Sequence, residues 1–368
     1  MTLGFTPDPN TPLTFLTYAQ RFGTFSIGPL PPLSGGLSWT PRYAAHAFSL
    51  VAQKLQPVLP LRLDAHVASA GVHNLNQVLE PGERVLVEPV WSNPSTGPFD
   101  FSAFLGNFTG PSGATYTISK SDASYGTIPA GQSAGCFSAT GNCYEVSVDN
   151  PATRPAAHWD ATVDEFGNDG NTVGSWTLHI GNSFGDVAPT APQYRFVETL
   201  FHNLITSGCG GGAYCPSQDV TRAQMSVFLL KAKFGASYVP PPATLGVFAD
   251  VPSNGFAADF IENLYSLGVT GGCGGGNFCP NSSATRAQMA VFLLKTDGGP
   301  SYTPPACSVS PFTDVPCSNG FAPWIVELVS RGITAGCAPG LYCPGSSVTR
   351  GQMAVFLTTT FLLTLNGI

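Results

Sequence analysis

The chain has 368 residues, of which 10% are charged, and its formal net charge is −7. This length is typical of two or three domains, and the 42 glycines and 33 prolines indicate many turns. The acidic balance argues against nucleic acid as a partner, because phosphate binding requires a basic surface. The apolar stretch Met353–Leu365 is too short for a transmembrane span and carries four threonines.

Residues 1–64 give no clear domain pattern and are interpreted as an irregular lead or linker. Proline clusters such as PLPPLSGG interrupt this segment, and residues 41–56 are its one candidate helix. The first residues, MTLGFTPDPNTP, lack the basic start and apolar core of a signal peptide. We therefore expect either a mature or truncated form or a misassigned start.

Residues 65–182 are predicted to form an antiparallel β-sandwich of immunoglobulin-like type. Short β-branched or alternating segments are separated by turn signals such as EPGE and GNDGN, a spacing typical of sandwich strands. The predicted strands are Arg84–Asn93, Thr115–Ser121, Cys143–Asp149, His158–Glu165 and Ser175–Gly181.

The strand His158–Glu165 is the one place in this half where a metal or acid/base site is conceivable. Its polar side chains alternate with apolar ones and should share one face; they are His158, Asp160, Thr162 and Asp164. We interpret this face as a solvated sheet surface. The following DEFGNDGN segment has calcium-type oxygens without EF-hand spacing, so we predict an Asp-Gly hairpin turn instead.

The ten cysteines lie in five close sequence pairs, none of which has the Cys-x-x-Cys spacing of a zinc knuckle. We therefore predict five local disulfides and no metal site or cofactor. The predicted pairs are Cys136–Cys143, Cys209–Cys215, Cys273–Cys279, Cys307–Cys317 and Cys337–Cys343. Disulfides imply an oxidising compartment, either periplasm, cell surface or the outside of the cell.

Three markers recur in the second half with a fixed step of 64 residues. They are a Gly-Cys pair, a Thr-Arg pair and a Phe-x-Asp-Val turn. Each unit is predicted to contain two helices on either side of a cysteine-closed loop. The second helix of each unit should open with a Thr-x-x-Gln capping box, as at Thr285 and Gln288. Such units bury their apolar stripes only against neighbouring units.

Each second helix is predicted to begin with an arginine, namely Arg222, Arg286 or Arg350. A positive charge at this end opposes the helix dipole at a cost of about 0.3–1 kcal/mol, so a compensating partner is expected. One alternative is internal: an ion pair with the aspartate of the Phe-x-Asp-Val turn, or hydrogen bonds to loop carbonyls. The other alternative is an anionic ligand in a groove between units.

The segment FADVPSNGFAADFIENLYSLGVTGGCGGGNFCPNSSATRAQMAVFLLK, residues 248–295, resembles an S-layer homology (SLH) repeat. The matching elements occur three times over about residues 184–365. The resemblance implies an all-α module of three repeats with pseudo-threefold symmetry, over residues 183–247, 248–311 and 312–368. It also implies anchoring to cell-wall polysaccharide, with the Thr-Arg arginines in the grooves between repeats.

Departures from the family pattern affect this implied site. The glutamate that follows Thr-Arg-Ala in the family is replaced by glutamine, and the aromatic before the first helix is matched by Phe256 and Phe321. Repeat 1 has Pro192 at that place, so its groove is expected to be poorer. The glycan-binding residues implied are Arg222, Arg286, Arg350, Phe256 and Phe321. Because of these departures, the resemblance does not by itself imply the best-understood wall ligand of the family, a pyruvylated polymer.

The sequence thus predicts a multidomain β plus α protein without catalytic function. We expect a cell-surface protein that is anchored non-covalently to envelope or cell-wall polysaccharide and displays its β-sandwich. The alternative is a self-assembling structural subunit of a surface layer or an extracellular filament. The expected partners are an envelope polysaccharide and, under the alternative, further copies of the chain, with neither nucleic acid nor a membrane span involved.

Overall fold

The computed structural model describes residues 12–17, 37–43, 46–69, 71, 73–167 and 170–366. The chain divides into two compact units, the first reaching Gly181 and the second running from Asn182 to Leu365. The first unit is built mainly from β-strands and the second from helices.

The expectation of an irregular segment before residue 64 is wrong for the described residues. Strands β1 (Pro12–Thr17), β2 (Leu37–Tyr43) and β3 (Ala47–Lys54) form an antiparallel sheet in the order β1-β3-β2. Within the candidate helix at 41–56, residues 41–43, 47–54 and 56 are strand, and β3 pairs with both of its neighbours. Strand β4 (Gln56–Leu63) pairs with β5 (Arg84–Ser92), the next strand of the sandwich, rather than with this sheet.

Two antiparallel sheets form the β-sandwich. Besides β4, their strands are β5 (Arg84–Ser92), β6 (Phe99–Thr109), β7 (Tyr116–Lys120), β8 (Asp122–Ile128), β9 (Ser133–Gly135), β10 (Tyr144–Val148), β11 (Asp160–Gly167) and β12 (Thr172–His179). The first sheet has the order β4-β5-β10-β7, with β9 also paired to β5, and the second has the order β12-β11-β6-β8. All five predicted strands are confirmed, as β5, β7, β10, β11 and β12.

The sheets share one apolar core, in which side chains such as Val87, Tyr144, Val163 and Trp176 are fully buried. The alternation predicted for β11 is confirmed, because Trp159, Ala161 and Val163 point inward while Thr162 is exposed. β11 and β12 form the predicted hairpin, although residues 168–169 of its turn lie outside the described residues. The Cys136–Cys143 disulfide spans the short helix α1 (Cys136–Thr140) rather than a plain hairpin turn.

A single fully buried carboxylate joins the two sheets. Glu165 on β11 accepts hydrogen bonds from Tyr125 Oη and Tyr144 Oη, both at 2.6 Å. It also accepts from Trp91 Nε1 at 3.2 Å and Trp176 Nε1 at 3.0 Å. Trp91 and Tyr144 belong to the first sheet, and Tyr125 and Trp176 to the second. Burial raises the pKa of Glu165, and the four donors oppose that rise.

Removing this carboxylate should destabilise the sandwich strongly. Glu165→Ala leaves two indole and two phenol donors buried without an acceptor, so the free energy of unfolding should fall by about 3 kcal/mol or more. Glu165→Gln should cost less, since the amide oxygen can still accept from the indoles while the tyrosine hydroxyls accept from its NH2 group. Urea unfolding of the three proteins would measure this order. Equal stability of Glu165→Ala and the parent would contradict it.

The second unit contains three helix pairs. They are α2 (Tyr194–His202) with α3 (Arg222–Phe234), α4 (Ala258–Ser266) with α5 (Arg286–Gly298), and α6 (Ala322–Ser330) with α7 (Arg350–Thr360). Both helices of each predicted unit are therefore present, and a disulfide closes the loop between them in every pair. Within the described residues, no helix combines the length and apolar content that crossing a membrane requires.

Candidate functional site

Three backbone hydrogen bonds link the helix pairs into a closed ring. Val220 N donates to Val348 O at 2.9 Å, Val348 N to Ala284 O at 2.9 Å, and Ala284 N to Val220 O at 3.0 Å. All three residues are fully buried. Each immediately precedes the Thr-Arg pair of its unit, so the ring fixes where the second helices begin.

The first turn of each second helix has no free backbone donor. In α3, Arg222 N donates to Ser282 O and Ala223 N to Pro280 O, both in the loop of the following pair. Gln224 N donates to the Thr221 hydroxyl, which completes the predicted capping box. α5 and α7 repeat all three contacts, and α7 closes the circle onto the loop of the first pair. These helix ends therefore offer no N–H groups to an anion.

Each of the three arginines reaches into the neighbouring helix pair of the second unit and is buried there. Their exposed fractions are 2% for Arg222, 2% for Arg286 and 6% for Arg350. Each Nε donates to a backbone carbonyl just before the second cysteine of the next loop. The acceptors are Phe278 O at 2.7 Å for Arg222, Tyr342 O at 2.8 Å for Arg286, and Tyr214 O at 2.7 Å for Arg350.

Aromatic rings surround each guanidinium. Arg222 Cζ lies 4.7 Å from the Phe278 ring centroid and 5.3 Å from that of Phe292, and the other two arginines are placed alike. Burial lowers the pKa of Arg222, and the charge of Asp250 opposes that change. The carbonyl bonds are those of the internal alternative, while the Nη2 atom of each arginine is buried without a hydrogen-bond partner.

The aspartates of the Phe-x-Asp-Val turns hold the other side of these loops. Asp250 accepts from Phe278 N at 2.8 Å and Cys279 N at 2.7 Å. Asp186 and Asp314 accept the same two hydrogen bonds in the first and third helix pairs. In each loop, two backbone N–H groups therefore donate to the aspartate of the same helix pair. A backbone carbonyl of the loop accepts from the arginine of the preceding helix pair.

Glycine and the disulfide give the loop its shape. A side chain at Gly272 would collide with the carbonyl oxygen of Asn277, and its φ of +91° favours glycine in any case. The Cys273–Cys279 bond then closes the loop, and Cys279 itself has a φ of 59°. All five predicted disulfides are confirmed.

A groove of about 490 Å³ lies between the start of α2 and the start of α7. Pro192, Phe196 and Pro216 supply apolar surface, and Gln193 and Gln352 supply amides. Pro192, which led us to expect a poorer groove in repeat 1, is one of its lining residues. Gly351, another lining residue, is the one departure from Thr-Arg-Ala-Gln among the three copies.

The two predicted aromatic site residues lie at the surface. Phe256 is 71% exposed and Phe321 is 39% exposed, and they precede α4 and α6. The structure thus separates the five predicted residues into a buried set, the arginines, and an exposed set, the phenylalanines. Gln193, Phe196 and Gly351 were not predicted, because they meet in the groove only through packing between repeats far apart in sequence.

A family model matches parts of the helical unit. It is the model of the S-layer homology (SLH) domain, and it covers residues 183–226 and 247–290. Both stretches are therefore similar to SLH repeats. The third helix pair, α6 and α7, makes the same ring, cap and arginine contacts as the first two.

Three relatives share sequence with part of this chain. A cell surface protein of Thermoanaerobacter kivui is 37% identical over 31% of this chain and 15% of its own length. The exoglucanase XynX of Acetivibrio thermocellus is 28% identical over 44% of this chain and 14% of its own length. An endoglucanase of Bacillus sp. (strain KSM-635) is 29% identical over 30% of this chain and 11% of its own length. The chain thus spans a small part of each relative. The SLH matches and the similarity to a cell surface protein indicate localisation at the cell surface or in the envelope.

One solved structure, the alkylpurine DNA glycosylase AlkC of Pseudomonas fluorescens bound to DNA, aligns over 33% of this chain and 29% of its own. Its TM-score is 0.17 and its identity 14%, so this likeness has no bearing on fold or function.

The ring contains one natural asymmetry that can be tested. Tyr342 Oη donates to Arg286 O and Tyr214 Oη to Arg350 O, both at 2.9 Å, whereas Phe278 has no hydroxyl for Arg222 O. Phe278→Tyr should therefore raise the free energy of unfolding by about 0.5–1.5 kcal/mol.

The matched variant Tyr342→Phe should lower the free energy of unfolding by a similar amount, because Arg286 O loses its hydrogen bond. Thermal unfolding of both variants beside the parent protein measures the pair. Destabilisation by Phe278→Tyr would show that the Arg222 site differs in packing from the other two.

Proposed function

We propose that the second unit anchors this protein non-covalently to an envelope or cell-wall polysaccharide. The supporting observation is the ring of three helix pairs, in which two pairs match the SLH family model and the third repeats their contacts. In this proposal 312–368 is a third SLH repeat beside 183–247 and 248–311, and the module has pseudo-threefold symmetry. The cysteine-closed loops make it a disulfide-stapled variant of the family.

The polysaccharide would bind along the grooves between repeats rather than directly at the arginines. Arg222, Arg286 and Arg350 are buried, so their proposed part in binding is to hold the loops that form the groove walls. The exposed rings of Phe256 and Phe321 are available as apolar walls, and the groove beside Phe196 is already formed.

The β-sandwich is the part that such an anchor would display. We propose that it is of immunoglobulin-like type, on the support of its two antiparallel sheets and common core. We also propose that the protein is not itself an enzyme. The glucan-degrading activities belong to the relatives that carry those names, and this chain matches only a small part of each.

Sedimentation of the full chain with purified sacculi of the producing cell tests the anchor. We expect the protein to pellet with sacculi, to stay in solution without them, and to be displaced by soluble envelope polysaccharide. A control preparation with its disulfides reduced should lose binding, because the loops that hold the ring would lose their staples. Protein that remains in the supernatant with sacculi contradicts the proposal, and pelleting without sacculi supports the alternative of a self-assembling subunit.

A further inference from the structure

A cavity of about 320 Å³ lies on the outer face of the first sheet of the sandwich. Three of its lining side chains stand in one row across three strands, because Ser147 of β10 pairs with Arg84 of β5 on one side and with Thr117 of β7 on the other. Side chains opposite each other on paired strands share a face. The adjacent residues Val85 and Val146 are buried in the core, so this row points away from the core.

Arg84 brings an uncommitted positive charge to this cavity. Its side chain is half-buried, and it makes neither a hydrogen bond nor an ion pair with any residue that the structure describes. The backbone of Gly71 lies against its stem, since a Cβ at Gly71 would be 3.0 Å from Arg84 Cβ. A guanidinium that is held by its stem and has no protein partner is suited to bind a carboxylate through two hydrogen bonds.

The carboxyl group of Glu83, which also lines the cavity, does not neutralise Arg84. Glu83 is buried, and its two oxygens accept from Asn74 N at 3.0 Å and from Glu80 N at 3.1 Å. Burial, followed by the interaction with the Glu80 carboxyl, raises the pKa of Glu83 to about 9. An acid with this pKa is protonated and uncharged at neutral pH, so the charge of Arg84 is left for a ligand.

Asp149 supplies a negative charge elsewhere in the same cavity. It follows Ser147 by two residues and therefore lies on the same face, about 7 Å further along the chain. Its Oδ1 accepts from Thr115 N at 2.7 Å, its side chain is exposed, and it forms no ion pair within the described part of the chain. The cavity thus offers a cation and an anion on one face, with neither bound to the other.

We propose that this cavity binds a small zwitterion, an α-amino acid, with its carboxylate on Arg84 and its ammonium group on Asp149. The Ser147 hydroxyl, opposite Arg84 in the row, can donate to the same carboxylate, and the Thr115 hydroxyl beside Asp149 can accept from the ammonium group. A cavity of about 320 Å³ lies at the lower end of the range of small-molecule sites. This site belongs to the sandwich and does not depend on the anchoring function.

The first test is an NMR titration of the full chain at neutral pH with glycine, alanine and serine. At least one of the three should bind saturably. The affinity of the best ligand should fall by about tenfold or more when its amine is acetylated or its carboxylate is converted to the amide, because each change removes one of the two charges. Absence of binding by all three amino acids overturns the inference, and so does equal affinity for either modified ligand.

The second test compares three variants that each remove one charge. Arg84→Gln and Asp149→Asn should each weaken binding by about tenfold or more, and asparagine keeps the oxygen that accepts from Thr115 N. The matched control Lys120→Gln removes a charge from β7 outside the cavity and should bind like the parent.

Thermal unfolding of each variant shows whether its fold is retained, and the exposed Asp149 provides a test even if Arg84→Gln proves unstable. Parent-like binding by folded Asp149→Asn overturns the inference. An equal loss of binding in Lys120→Gln also overturns it, since the effect would then follow net charge rather than the cavity.

Discussion

The helical unit depends on one contact that is made three times: a buried arginine donating to a backbone carbonyl of the neighbouring repeat. Arg222, Arg286 and Arg350 each cross to the next loop, so that every repeat both gives and receives one such bond. The loop carbonyl is fixed in turn by the aspartate and the disulfide of its own repeat. Because the contacts form a closed circle, every helix start is enclosed within the protein. The Nη2 atom of each of these arginines is nevertheless buried without a hydrogen-bond partner.

The two units surround a buried ionisable side chain in similar ways. In the sandwich, Glu165 accepts hydrogen bonds from four neutral donors of both sheets, which oppose the rise that burial causes in its pKa. In the ring, each guanidinium has a carbonyl acceptor and two aromatic faces instead of a carboxylate partner. Both arrangements use rings and hydrogen bonds in place of a salt bridge, in keeping with the low charge content of the chain.

Local sequence patterns predicted the parts of this structure that depend on neighbouring residues. The capping boxes, the paired cysteines and the alternation along β11 each involve residues a few positions apart, and each is confirmed. The prediction of a helix at residues 41–56 was wrong because the stretch AFSLVAQK suits helix or strand equally until its partners β1 and β2 are known. The carbonyl partners of the arginines lie 56 or 136 residues away, so no periodicity could reveal them. The groove at Gly351 needs α2 and α7 to meet, which only the closed ring brings about.

The most direct test of this account is the stability of a protein that lacks two of the arginines. The double variant Arg286→Ala with Arg350→Ala should lower the free energy of unfolding by at least about 3 kcal/mol, since two buried carbonyls lose their donors and four rings lose a packing partner. Arg331→Ala serves as the control, because that arginine is exposed and bonds Glu327 and Asp297 at the surface, where such pairs contribute about 1 kcal/mol or less. Calorimetric unfolding and sacculus binding would be measured on the same preparations. Unchanged stability together with lost binding would contradict the account and assign these arginines to the ligand.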